Sequence, residues 1–105
     1  MNLLEARIIL LCRKTVQAKE VWLELYNLGY EYSYNYIVNK LSQLATLGYL
    51  IKREVNHGSE RGRKTFYTAT PQAVVEAMNF IEERIKQLQK SGVNNIASLT
   101  SYVSE

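Results

Sequence analysis

The sequence predicts a single, mostly helical α+β domain, on three observations. Apolar residues recur at spacings of three and four in four separate stretches. One pair of short β-prone runs, 49–55 and 64–69, falls between the third and fourth of these stretches, with glycines in the intervening loop. All five glycines and the only proline lie at the boundaries this division creates. A chain of 105 residues, 47% hydrophobic and 22% charged, has the size of one domain with a modest core. That domain is expected over 1–92. Residues 93–105, rich in Ser, Asn and Thr, form a polar tail that is either loosely ordered or laid across a partner.

The first helix is expected over 3–13. Leu4, Ile8 and Leu11 share one face, but most other positions are apolar too, so the helix should be covered on more than one side. Cys12 is expected to pack there as a small hydrophobe. As the lone cysteine it leaves no intramolecular disulfide and suits a reducing, cytoplasmic setting. Residues 15–17 have the character of a short edge strand. The second helix, 18–28, runs through Val21, Leu25 and Leu28 and stops at Gly29. Trp22, Tyr26 and Tyr30 are assigned to the core rather than to an effector pocket, and no small-molecule effector is assigned.

The third helix is expected over 33–47, following a segment, 30–36, that holds four of the eight tyrosines. The Ser33 hydroxyl can cap it. Ile37, Leu41 and Leu44 give its buried spacing, widened by Val38, Ala45 and Leu47, and Gly48 ends it. The opposite face carries Asn35, Tyr36, Asn39, Lys40 and Gln43. Solvated helix faces are more commonly filled with Glu–Lys pairs, yet no acidic residue occurs between Tyr32 and Arg53. The strand 49–55 and its partner 64–69 enclose a loop with Gly58 and Gly62. From Lys52 to Lys64 five basic residues oppose two glutamates, an excess of three that equals the net charge of +3 of the whole chain. The charge excess therefore sits on the hairpin.

Thr70 caps the last helix and Pro71 occupies its first turn, where a missing N–H costs little. Over 71–91 Val74, Met78, Ile81, Ile85 and Leu88 form a two-heptad seam, with Glu82 and Lys86 placed to pair beside it. Two heptads are short for a coiled coil on their own. With the first helix contributing, the seam is expected to hold a homodimer.

The chain has no aspartate, and His57 is its only histidine. Acid–base pairs, metal sites and nucleophile–base arrangements draw on those residues, so no enzyme activity, metal or cofactor is expected. No apolar run approaches the roughly 18 residues that span a bilayer, and no signal peptide is read at the N-terminus.

Residues 3–90 resemble a winged helix-turn-helix domain of the PadR-like or MarR-like superfamily. The most specific parts are LSQLATLGYLIKREV and GRKTFYTAT. Leu44 and Gly48 match the end of the family's recognition helix, while Tyr67 and Thr70 match the step from the wing into the last helix. Ala69 stands where a leucine is usual, and the glycine that often follows the step is missing. The wing also lacks the acidic–arginine signature of MarR proteins, which favours a PadR-like or small archaeal-type regulator. The resemblance implies a three-helix core, a two-stranded wing and a long C-terminal helix. It further implies sequence-specific binding of double-stranded DNA by a homodimeric transcription regulator. Carried over by position, Ser33, Tyr34, Asn35, Tyr36, Asn39, Lys40 and Gln43 would face the major groove. Arg61, Arg63 and Lys64, in the wing at 56–64, would lie near phosphates or the minor groove.

The residue types suit those roles on chemical grounds as well. Asn and Gln can bond adenine through N6 and N7, and Asn35, Asn39 and Gln43 form one stripe along a helix face. Tyrosine hydroxyls can donate to phosphate. A second reading takes the tyrosine-rich patch 30–36 as a protein–protein interaction surface, since tyrosine is enriched in interfaces.

Overall fold

A computed structural model describes residues 1–56 and 63–90 of the chain. The expected hairpin tip at 57–62, with His57, Gly58, Arg61 and Gly62, lies outside the described residues, as do Gly92 and the tail 93–105. The described elements follow the expected order: α1 (Leu3–Leu11), α2 (Ala18–Asn27), α3 (Tyr34–Thr46), β1 (Leu50–Asn56), β2 (Arg63–Ala69) and α4 (Pro71–Lys90).

Local chemistry sets the helix ends. Asn2 and Glu5 make a reciprocal capping box on α1, each side chain accepting from the other's backbone N–H at 2.8 Å. The Ser33 hydroxyl accepts from the Tyr36 N–H at 3.1 Å, and Thr70 accepts from Ala73 at 3.1 Å. Helices α2 and α3 end in the same Schellman motif. Gly29 and Gly48 take φ of 96° and 89°, and the following residues reach back: Tyr30 N–H donates to Leu25 at 2.9 Å and Tyr49 N–H to Leu44 at 3.0 Å. Leu28 and Leu47, expected on the buried faces of these helices, are 43% and 60% exposed. Each sits at the C-cap, where the chain is already turning and helical spacing no longer aims a side chain inward.

The core gathers Ile8, Ile9 and Leu10 of α1, Val21 and Leu25 of α2, and Ile37, Leu41 and Leu44 of α3. Leu50, Tyr67 and Ala69 of the hairpin complete it together with Ala73, Ala77 and Ile81 of α4. Strands β1 and β2 pair antiparallel from Leu50 opposite Ala69 out to Asn56 opposite Arg63. The inner ends are buried, whereas Lys52, Arg53 and Glu54 are exposed as the hairpin leaves the core. The expected strand character of 15–17 takes the form of one bridge: Val16 and Tyr67 exchange backbone hydrogen bonds of 3.0 and 2.7 Å. Ala69 N–H also donates to the Cys12 carbonyl at 2.8 Å, tying the hairpin root to the end of α1.

Helix α4 lies along α1. Its fully covered stripe is Ala73, Ala77 and Ile81, which shares Ile81 with the expected seam but replaces Val74 and Met78 by the preceding alanines. The two alanines let the helix axes approach closely. Ile81, expected at a dimer seam, is therefore completely buried inside its own protomer, while Val74, Met78, Ile85 and Leu88 are half-buried. Lys86 meets Glu83 at 3.6 Å, one residue along from the expected Glu82.

Cys12 is completely buried, and desolvation pushes its thiol up from 9.0 to about 12. Because the folded pKa exceeds the unfolded one, the thiol costs no stability below pH 9, and stability falls as pH rises from 9 towards 12. The native protein should thus resist an aromatic disulfide reagent at about pH 8 and react with it quantitatively once unfolded in denaturant. Rapid labelling of the native protein would contradict this burial.

Candidate nucleic-acid interface

Helix α3 buries Ile37, Leu41 and Leu44 and turns the other side outward. Asn35, Asn39 and Gln43 are all exposed on that side, so the stripe expected from their spacing of four is present. Three amides on an exposed helix, with no acidic side chain on the same helix, can exchange paired hydrogen bonds with purine edges.

Four of the candidate residues make contacts within the protein, of which only the Ser33 cap was expected. The Ser33 hydroxyl is exposed and engaged in its cap. Tyr34 meets Trp22 edge-on, ring centroids 6.1 Å apart. Tyr36 stacks on Tyr32 at 4.8 Å and 17°, and Tyr32 stacks on Tyr30 at 6.0 Å and 14°. Both Tyr34 and Tyr36 keep a large exposed area, 45% and 40%. Lys40, the single cation of α3, is half-buried, with its ammonium 3.4 Å from the Glu5 carboxylate of α1.

The tyrosine stack leads inward to Arg7, which is 4% exposed. Its guanidinium sits 5.1 Å from the centre of the Tyr30 ring and donates to the Tyr30 hydroxyl. Trp22 braces the same turn by donating its indole N–H to the Tyr32 carbonyl at 2.9 Å. Trp22 and Tyr30 are half-buried at the core's margin. Tyr26 departs from its core assignment: 56% exposed, it rests against Trp22 on the outside of α2. Neither Arg7 nor Glu5 stands out in the sequence. Two charges in an otherwise apolar helix are the one available signal.

The hairpin supplies the charge beside α3. Arg53 and Lys64 are exposed on it, and Lys52 lies 4.0 Å from Glu54. The backbone of Arg63 opens β2, and Arg61 lies outside the described residues. Among the described residues no group of acidic, histidine or cysteine side chains could hold a metal ion, and no helix is long and apolar enough to cross a membrane.

No family model and no curated protein matches the chain. Among solved structures it is similar to a PadR family transcription regulator from hypervirulent Clostridium difficile R20291, determined to 1.89 Å. The two share 14% sequence identity and a TM-score of 0.67 over 86% of this chain and 98% of that one. The likeness establishes the architecture: the chain is a winged helix-turn-helix domain, with α2 and α3 as its helix pair and β1–β2 as its wing.

Proposed function

We propose that the protein is a homodimeric, sequence-specific double-stranded DNA-binding transcription regulator. The observation that carries this reading is the exposed amide stripe of Asn35, Asn39 and Gln43 on α3, standing beside a cationic hairpin in a winged-helix frame. In this reading α3 enters the major groove and its amides contact base edges. Tyr34 and Tyr36, at its N-terminal end, donate to the phosphate backbone and set the register. The wing, with Arg61, Arg63 and Lys64, lies along phosphates or the minor groove.

The dimer would place two copies of α3 one turn of DNA apart, about 34–36 Å. Helix α4 supports it. A helix of 20 residues outlasts one of nine, and the described residues of α4 that the protomer buries completely all lie between Pro71 and Ile81. Ile85 and Leu88, farther along, are only half-covered, which suits them to a partner. Replacing both by Glu should give a folded monomer by sedimentation, with helical circular dichroism retained. By contrast Ile81→Ala should cost about 2–5 kcal/mol of stability as a core cavity. A double variant that sediments as the wild type does would remove α4 from the interface.

Selection of genomic fragments on the purified protein at low salt tests the function itself, and one sequence class with two-fold related half-sites is the expected product. On that site Asn39→Ala should relax preference at one position per half-site, with a loss of about 1–3 kcal/mol for the preferred base. Lys64→Ala should weaken all sequences alike and flatten the salt slope by about one. No enrichment at low salt would favour the second reading, a protein-interaction module using the tyrosine patch 30–36.

A further inference from the structure

The only cation of α3 is held by another helix. Lys40 Nζ lies 3.4 Å from Glu5 Oε2, and the two side chains are 18% and 15% exposed. The carboxylate is also held by groups other than the lysine. Its other oxygen accepts from the Asn2 N–H at 2.8 Å, and the Glu5 N–H donates to the Asn2 side chain at 2.8 Å. It also sits in the first turn of α1, where the helix dipole favours an anion. A fully solvated surface pair contributes little because both side chains must be ordered to make it. Here one partner is ordered by its cap and both are largely covered.

Resting on the DNA-binding reading above, we propose that Glu5 is a positioning residue that limits sequence-independent attachment to DNA by withholding Lys40 from phosphate. With the pair intact, α3 presents amides and phenols but no free charge. It then discriminates bases while adding no cation to the sequence-independent attraction that comes from neutralised phosphates. A phosphate contact adds to every sequence alike, so withholding it lowers attachment to all duplexes and leaves base contacts as the contribution of α3.

The test measures affinity of the full-length protein for the selected duplex and for a random-sequence duplex across a salt series. Glu5→Gln retains an oxygen for the Asn2 N–H and removes the charge. It should tighten the random duplex several-fold at low salt and steepen its log–log salt slope by about 0.9 per protomer. In the Glu5→Gln/Lys40→Gln double variant that gain should vanish. Glu5→Ala, which leaves Asn2 as the N-cap, carries the same expectation if Glu5→Gln is poorly folded. A merely structural ion pair would lower the melting temperature without changing the slope, and that result would overturn the proposal. A gain that persists in the double variant would overturn it too. Wild-type protein that binds neither duplex at low salt would instead defeat the DNA-binding reading, and this inference with it, before any variant is compared.

Discussion

Arg7 places a permanent positive charge inside a helix that the fold covers on nearly every side, and much of the structure is arranged around that constraint. A buried cation without compensation costs several kcal/mol. Tyr30 supplies compensation twice, with its hydroxyl as acceptor and with the negative face of its ring. Tyr30 can do so because Gly29 adopts a left-handed φ, which turns the chain back at the end of α2 and points the next residue inward. From Tyr30 the stack continues through Tyr32 to Tyr36 in the first turn of α3. The core of α1 and the start of the outward-facing helix are thus joined by one run of aromatic rings. The tyrosines are organised by the fold first, and their exposed edges are what remains for a ligand.

Charge and hydrogen bonding are distributed unequally over the proposed DNA-facing surface. Helix α3 carries neutral donors and acceptors outward and has its one lysine engaged by Glu5. The hairpin carries the cations Arg53 and Lys64 outward on a frame tied to α1 through the Ala69–Cys12 and Val16–Tyr67 hydrogen bonds. A surface built this way separates base discrimination from electrostatic attachment, since phosphate contacts position a protein and base contacts specify its site. Helix α3 packs directly on β1 and on α2 as well as touching α1, so its placement beside the hairpin is set by all three.

Much of this was legible in the sequence where the governing physics is local. Gly29 and Gly48 stop their helices, and Ser33 and Thr70 cap theirs. The four-residue step of Asn35, Asn39 and Gln43 puts those amides on one exposed face. Each of these effects depends on neighbours within a turn. Leu28 and Leu47 depart locally, where the chain turns at each C-cap, but most of the other differences involve partners far along the chain. Lys40 reads as an outward cation until Glu5, 35 residues away, is brought beside it. Arg7 reads as a break in an apolar run until Tyr30 covers it. Ile81 fits a heptad seam equally well from spacing, but Ala73 and Ala77 draw its face of α4 against α1. Tyr26 shares a helix with buried Leu25, and nothing in aromatic content alone says that its side of α2 is left open.

The central claim is that α3 and the wing form the surface that meets DNA. Its most direct measurement is a titration of isotopically labelled protein with the selected duplex, followed by backbone amide shifts. The largest changes are predicted over 34–43 and along the hairpin at 52–56 and 63–65, with little change on the Trp22–Tyr26 side of α2. Changes centred on Trp22 and Tyr26, with the amide stripe of α3 silent, would contradict it.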